Sequence, residues 1–196
     1  MLTLVIDWAS NPTSSQRALW RHGPGKSTIS TTVADRSRRS KQLGAFLFFD
    51  RDVTEPSNPA LVAWTLAYQL SSFHPDIGDL ITAAIESSPQ ILISSIPSQF
   101  QELLVDPLSC IQSLPTKSQI VLVFDALDEC GTTKDRGALV KVLAEKSAHL
   151  PSTFRFVITN RPDIDIRLAF ESQPRVLTLE LVLTFTASQP LVTTTS

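Results

Sequence analysis

The stretch Ile120-Val-Leu-Val-Phe-Asp125-Ala-Leu-Asp128-Glu129 decides the fold. A short, wholly apolar run that ends at an acid is typical of a buried strand in a parallel sheet, because helices cover both faces of such a sheet. The acid then lies at the carboxyl edge, where open α/β sheets bind ligands. The stretch therefore predicts an α/β domain with a polar site at the end of this strand.

Four other apolar runs predict a sheet of five strands, at Ala18–Arg21, Ala45–Asp50, Ile120–Phe124, Arg155–Thr159 and Val176–Leu179. Between them, apolar residues recur at helical spacing. The predicted helices cover Ser27–Lys41, Leu61–Leu70, Pro75–Ile85, Ser98–Leu108 with a kink or shift at Pro107, Leu139–His149 and Asp163–Phe170. This alternation predicts one parallel sheet between two helical layers, a three-layer αβα fold.

Composition excludes several classes of protein. The chain has 196 residues, with 17 Lys and Arg against 19 Asp and Glu, which suits one domain and argues against a nucleic-acid binder. Its 42% of apolar residues exclude a disordered chain. Two cysteines are too few for a disulfide scaffold, and three scattered histidines do not form a zinc site with them.

No targeting segment is expected. The start, Met1–Asp7, has no basic region before its apolar residues, unlike a secretory signal. No apolar run approaches the ~20 residues of a membrane span. These features predict a cytoplasmic protein in a reducing compartment, without membrane or nucleic-acid partners.

A glycine-rich turn precedes the first long helix, at Gly23-Pro-Gly25-Lys26-Ser27-Thr28. Backbone N–H groups at a helix start attract phosphate, a lysine reaches the outer phosphates and a serine hydroxyl can bind Mg²⁺. The full pattern G-x-x-x-x-G-K-[ST] fails, because Trp20 stands where its first glycine belongs. A plain Gly-Pro turn with an exposed lysine is the alternative.

Two strand ends carry charged residues. Asp125 could hold Mg²⁺ through water, and Asp128 or Glu129 could orient and deprotonate an attacking water. Arg161, which follows Thr159-Asn160, could sense or neutralise a γ-phosphate. The alternatives are an acidic turn at one strand end and an exposed arginine before a helix at the other.

Several strings together resemble the NACHT nucleoside-triphosphatase domain of large fungal signalling proteins, a STAND-class P-loop family related to the nephrocystin-3-like N-terminal domain. They are Trp20-Arg-His-Gly-Pro…Gly-Lys-Ser-Thr-Ile29, Leu43-Gly-Ala-Phe-Leu-Phe-Phe-Asp-Arg-Asp52, Leu66-Ala-Tyr-Gln-Leu70, Phe124-Asp-Ala-Leu-Asp-Glu-Cys130 and Ile158-Thr-Asn-Arg-Pro162. The resemblance covers roughly Ile6 to Leu181. It implies a nucleotide-dependent switch that controls assembly with itself or with other signalling proteins.

The resemblance also implies residue roles, with ATP or GTP and Mg²⁺ as cofactors. It places nucleotide binding at Gly23, Gly25, Lys26, Ser27 and Thr28, the metal at Ser27 and Asp125, and catalysis at Asp128, Glu129 and Arg161. Cys130 also matches, and we interpret it as a packing residue.

The chain departs from the family pattern in the phosphate loop. The family has Gly-Pro-Ala-Gly-Ser-Gly-Lys-Ser, so three residues are missing between Pro24 and Gly25, and Asn160 replaces a common serine. We expect a nucleotide switch with an impaired loop. The alternative is a scaffold or regulatory domain that no longer binds nucleotide. A second alternative is a small-molecule kinase, which also begins with a P-loop. A kinase would need an Arg-rich lid near the third helix region, and Ser71–Leu114 contains no Arg or Lys, which argues against it.

Three segments are expected along the chain. Residues 1–16 are interpreted as an N-terminal helix or linker remnant and residues 17–181 as the nucleotide-binding domain. The tail 182–196 has no charged residue and five threonines, and we expect it to be poorly ordered. The winged-helix region that follows the domain in the family is not expected here, so the domain is predicted to be truncated.

Overall fold

Five strands form one sheet in which all pairs are parallel. The computed structural model describes residues 2–23, 25–53, 57–111, 119–161 and 163–180. The strands are β1 (Ala18–His22), β2 (Leu43–Phe48), β3 (Ile120–Asp125), β4 (Phe154–Asn160) and β5 (Val176–Glu180). Their order is β2-β3-β4-β1-β5. The predicted five-stranded parallel sheet is confirmed, and β4 lies beside β1.

Helices cover both faces of the sheet. They are α1 (Leu2–Ser10), α2 (Lys26–Arg39), α3 (Val62–Phe73), α4 (Pro75–Ser87), α5 (Ile96–Phe100), α6 (Asp106–Ser109), α7 (Thr133–Lys146) and α8 (Ile164–Glu171). Short 3-10 turns lie at Pro59–Leu61, Pro89–Ile93 and Leu127–Glu129, and a π turn at Gln101–Val105 joins α5 to α6. No helix among the described residues is long and apolar enough to cross a membrane.

Side chains that alternate along the strands build two separate cores. Leu19, Val121, Val123 and Val157 pack against α1 and α2 on one face. Their neighbours Trp20, Leu122, Phe124, Phe156 and Ile158 belong to a larger core that includes residues of α3 to α8. Because successive strand residues point to opposite faces, one uninterrupted apolar run serves both cores. The predicted three-layer arrangement is confirmed.

Strand β2 differs from its predicted bounds. It begins at Leu43 and ends at Phe48, instead of covering Ala45–Asp50. At the start of the strand, Gly44 lies close against Ile120. A Cβ atom at this position would lie 2.5 Å from Cγ2 of Ile120, and glycine avoids this clash because it has no Cβ. Asp50 leaves the sheet because the Ser57 hydroxyl accepts from its N–H at 2.8 Å and donates to its carbonyl at 2.6 Å.

Two helix predictions need correction or refinement. Helix α7 ends at Lys146, so the prediction that His149 is helical was wrong; its N–H still donates to the carbonyl of Lys146 at 2.9 Å. The helix predicted from Ser98 begins at Ile96. The π turn Gln101–Val105 widens this helix just before Pro107. A widened turn tolerates proline, which has no N–H to donate within the helix.

A buried arginine fastens the N-terminal segment to the sheet. Arg155 of β4 is fully buried and donates to the carbonyls of Asn11 at 2.8 Å and Ser152 at 2.8 Å. Its guanidinium also lies over the ring of Trp8, 5.9 Å from the ring centroid. Desolvation, and secondarily the charge of Arg17, lowers the pKa of Arg155 to about 10. Helix α1 is therefore packed on the domain core. The predicted tail 182–196 lies outside the described residues.

Candidate functional site

The carboxyl edge of the sheet gathers the predicted site residues. In the parallel register, Phe48 pairs with Asp125 across β2 and β3, and Arg21 pairs with Thr159 across β1 and β4. The ends of these four strands therefore lie at one edge, and the turns that follow them meet there. This is the edge at which open α/β sheets bind ligands.

The glycine-rich turn leads from β1 directly into α2. Gly23 and Gly25 have φ of 101° and 72°, and Gly25 caps the helix without a side-chain hydrogen bond. Only glycine adopts such angles without strain. Lys26 is the first helical residue, and Ser27 and Thr28 follow in the exposed first turn. The turn thus places a lysine and two hydroxyl groups at the positive end of a 14-residue helix.

Asp125 is held inside the sheet edge. Its side chain is 1% exposed, and its Oδ1 accepts a hydrogen bond from the Thr159 hydroxyl. The chain then turns sharply at Ala126, which has a left-handed backbone with φ of 58°. The N–H of Ala126 donates to the same Thr159 oxygen at 3.4 Å. Thr159 thereby fixes both the carboxylate and the turn that follows it.

Asp128 is the centre of the charged cluster. Its Oδ1 accepts from the backbone N–H of Arg161 at 2.8 Å and lies 4.0 Å from Nζ of Lys26. Its Oδ2 lies 3.5 Å from Nε of Arg161. The Arg161 guanidinium also lies 4.0 Å from Oε1 of Glu129, whose other oxygen accepts from the N–H of Arg51 at 3.4 Å. The cluster therefore joins the glycine-rich turn before α2, the acidic turn after β3 and the end of β4.

Asp128 retains an unused acceptor. The carboxylate is 2% exposed, yet among the described residues its Oδ2 makes no hydrogen bond and lies 3.5 Å from Nε of Arg161. A buried carboxylate oxygen that lacks a hydrogen bond is destabilising. This oxygen is thus a suitable acceptor for a bound water or ligand hydroxyl.

Asn160 has a structural role. Its Oδ1 accepts from the indole N–H of Trp20, and its amide donates to the carbonyl of Arg161. Trp20 in turn stacks on Phe170 at 5.9 Å and lies 4.7 Å from the ring of His22. Asn160, which replaces a common serine of the family pattern, therefore links the Arg161 loop to β1.

Arg136 of α7 belongs to the site, although the sequence reasoning missed it. It is 2% exposed and donates to the backbone carbonyl of Asp128, and it pairs with Asp163 at 3.0 Å and Asp165 at 3.1 Å. It thus clamps the Asp128 turn to the start of α8. Its spacing gave a signal: Arg136, Leu139, Val140 and Leu143 share the i, i+3, i+4, i+7 pattern of one buried helix face.

A cleft of about 620 Å³ lies beside the cluster. Its lining includes Asp128 and Glu129 of the acidic turn, Thr133 and Arg136 of α7, and Arg51 and Asn58. Lys26 is not among the lining residues.

The structure brings Lys26, Asp128, Glu129 and Arg161 into one charged cluster. The acid that pairs with Lys26 is Asp128, which follows the left-handed turn at Ala126. Ser27 and Thr28 lie exposed at the helix start. Within the described ranges, no group of three or more His, Cys, Asp and Glu side chains is arranged to hold a metal.

Cys130 closes the acidic turn and is fully buried. Desolvation raises the pKa of its thiol to about 12, against a smaller opposing effect of Arg136. A neutral, buried thiol is a poor nucleophile. This agrees with the interpretation of Cys130 as a packing residue.

A family model for the N-terminal region of nephrocystin 3 matches residues 3–161. The chain belongs to the nephrocystin 3 N-terminal family. The match takes in α1 and ends at Arg161, so every predicted site residue lies inside it. In a comparison with curated proteins, none matches the chain.

Proposed function

We propose that this member of the nephrocystin 3 N-terminal family is a Mg²⁺-dependent nucleotide switch of the NACHT class with a weakened phosphate loop. The observation that carries the proposal is the position of Lys26. This lysine begins a helix at the carboxyl edge of a parallel sheet and lies 4.0 Å from an acid of the neighbouring strand end. Cytoplasmic location and control of assembly with itself or with other signalling proteins are part of the proposal.

The residues fit a magnesium nucleotide in their chemistry. Lys26 and the first-turn N–H groups of α2 would bind the outer phosphates of ATP or GTP, and Ser27 and Asp125 would hold Mg²⁺. Bound Mg²⁺ would neutralise phosphate charge. Asp128 would accept from a water through Oδ2, which makes no hydrogen bond among the described residues, with Glu129 as the second candidate base. Arg161 is 66% exposed, so it is free to turn towards a phosphate.

The loop itself supports weak binding. Only Pro24 and Gly25 separate Gly23 from Lys26, and that length of chain spans about 11 Å at most. Three missing residues remove two or three N–H donors to a charged phosphate, each contributing roughly 1.5–3 kcal/mol. The loss is on the order of 3–9 kcal/mol, and we expect affinity to be reduced at least about a hundredfold.

A specific observation favours a second candidate, a scaffold that does not bind nucleotide. Lys26 and Arg161, the two cations that the first proposal assigns to phosphate, are both paired with Asp128. The cluster is therefore balanced without a ligand. A regulatory domain could keep this arrangement as a fixed part of its structure.

Calorimetric titration of the natural chain and of a chain with Ala-Gly-Ser inserted between Pro24 and Gly25 tests the proposal. We expect weak binding of Mg·ATP or Mg·GTP to the natural chain and at least about a hundredfold tighter binding to the restored chain. Lys26→Ala in the restored chain should abolish this gain. Glu129→Gln should preserve the affinity and slow any hydrolysis.

Two outcomes would contradict the proposal. Equal, tight affinity in both chains would show that the short loop is competent. No binding to the restored chain, with an unchanged melting temperature, would favour the scaffold.

A further inference from the structure

A second concave surface lies in the helical layer, where α4 and α6 contribute to its walls. It is a groove of about 530 Å³, and none of its lining residues belongs to the charged cluster at the sheet edge. Its lining side chains are mostly small or apolar; they are Leu80, Ala83, Ala84, Ser87, Ser88, Ile91, Pro107 and Cys110, with Glu102 and Asp106. Small residues on α4 would allow another helix to approach closely.

The groove has buried apolar residues in its lining, and an exposed isoleucine follows one of them in the chain. Ile91 and Pro107 line the groove and are buried, and Ile93, on the same 3-10 turn as Ile91, is 90% exposed. An isoleucine with that exposure contributes little packing within the described part of the domain. Exposed apolar surface of this kind marks binding sites for other proteins.

The charged side chains that line the groove are both acidic. Glu102 and Asp106 line it, and Asp79 and Glu86 are exposed on α4, which forms one of its walls. The sequence contains no Lys or Arg between Arg51 and Lys117. A partner therefore gains attraction from positive charge and loses affinity with negative charge.

We propose that this groove binds a basic amphipathic helix of a partner protein. A helix satisfies its own backbone groups, whereas an extended peptide would leave its N–H and C=O groups unpaired over the apolar lining, because α4 and α6 offer no strand edge. Apolar residues at i, i+3, i+4 and i+7 would fill the groove. Lys or Arg on the flanks would meet Glu102 and Asp106.

A second copy of this chain is a poorer occupant. Its basic stretch is the end of α2, with Arg36, Arg38 and Arg39. The apolar residues of that helix, Ile29, Val33 and Ala34, pack against its own sheet. The helix α2 therefore offers positive charge without a free apolar face. The proposal does not depend on nucleotide binding.

Fluorescence anisotropy with a labelled model peptide tests the proposal. The peptide has about 18 residues, long enough to form a helix on binding, with Leu on one face and Lys on the other. A peptide of the same composition, scrambled so that no apolar face forms, is the first control. We expect saturable binding of the amphipathic peptide, at least about tenfold tighter than that of the scrambled one.

Matched charge reversals locate the site. The double variant Glu102→Lys with Asp106→Lys should weaken peptide binding at least about tenfold. The control is Asp35→Lys with Glu171→Lys, which changes the net charge of the protein equally, on α2 and α8. It should change peptide binding less than about twofold. Ala83→Arg, an exposed position in the groove wall, should also weaken binding. If the double lysine variant misfolds by circular dichroism, Glu102→Gln with Asp106→Asn replaces it.

Other results would overturn the proposal. These are no peptide binding, equal binding of the scrambled peptide, or equal loss in both pairs of charge variants. Sedimentation velocity adds one more: self-association that the groove variants abolish would make a second copy the occupant.

Discussion

Lys26 and Asp128 form an ion pair that joins the start of α2 to the turn after β3. Nζ of Lys26 lies 4.0 Å from Oδ1 of Asp128, and the two side chains are 16% and 2% exposed. In the nucleotide switch that we propose, Lys26 would leave Asp128 to bind a phosphate. The strength of this ion pair would then oppose phosphate binding.

We predict that the coupling energy of this ion pair depends more on its burial than on the distance between its charged atoms. A double-mutant cycle with Lys26→Met and Asp128→Asn should give a coupling energy of about 1–2 kcal/mol, because solvent screens the pair little. The control is Arg38–Asp35, which is shorter at 2.7 Å but 60% and 53% exposed. Arg38→Met with Asp35→Asn should give less than about 0.5 kcal/mol. Urea unfolding measures both cycles, and a larger coupling in the control pair would contradict this prediction.

Arg136 should be critical for stability. Arg136→Gln removes the partner of Asp163 and Asp165 and leaves the buried carbonyl of Asp128 without its donor. We expect a loss of about 3–5 kcal/mol in the free energy of unfolding. Arg167→Gln is the matched control, because Arg167 is 51% exposed and has a single i, i+4 partner, Glu171. It should lose less than about 0.5 kcal/mol in the same denaturant titration.

The same variant tests whether Arg136 positions Arg161. The ¹⁵Nε resonance of Arg161 reports its ion pair with Asp128. We expect this resonance to shift in Arg136→Gln and to stay unchanged in Arg167→Gln. A stability loss with an unmoved Arg161 signal would limit Arg136 to a structural role.

The predictable part of the fold was its sheet. Short apolar runs such as Ile120–Phe124 are unambiguous because a parallel sheet buries both faces, and all five strands lie within a few residues of their predicted positions. Boundaries moved where tertiary contacts decided them. Leu43 joins β2 because Gly44 fits against Ile120, and Asp50 leaves it because of Ser57.

The site was predictable to the level of the strand ends and no further. Parallel register places the end of β3 beside the end of β4, so the proximity of Asp125 and Thr159 could be expected. Which acid meets Lys26 depends on the left-handed turn at Ala126, and no periodicity in the sequence reports that angle. Arg136 was missed because its helix pattern was counted from Leu139 onwards.

Two glycines should respond oppositely to alanine. At Gly44, an added Cβ would lie 2.5 Å from Ile120 and 3.0 Å from Leu122 side-chain atoms, so Gly44→Ala should destabilise the domain by about 1–3 kcal/mol. At Gly137, inside α7, nothing lies within 4 Å of the added atom. Gly137→Ala should stabilise it by about 0.5–1 kcal/mol. Thermal and urea unfolding of both variants measure this, and a destabilised Gly137→Ala variant would show that α7 needs the glycine for another reason.

The two free cysteines should differ in reactivity. Cys110 is exposed and Cys130 is fully buried. Iodoacetamide at pH 8.5 should label Cys110 in the folded protein and both thiols only after unfolding, and a Cys110→Ser variant should stay unlabelled while folded. Mass spectrometry counts the labels. Equal labelling rates for the two native thiols would contradict the buried position of Cys130.

The thiol of Cys130 should also make stability depend on alkaline pH. Burial raises its pKa in the folded state to about 12 from 9.0, so between these values only the unfolded chain releases the proton. The contribution of the buried thiol to the free energy of unfolding is therefore complete below pH 9. It decreases as pH rises towards 12, by at most about 1.4 kcal/mol per pH unit. Cys130→Ala removes this titration. The stability difference between the natural chain and Cys130→Ala should fall by about 1 kcal/mol from pH 8 to pH 10 in urea unfolding, and a difference that stays constant would show that Cys130 ionises equally in both states.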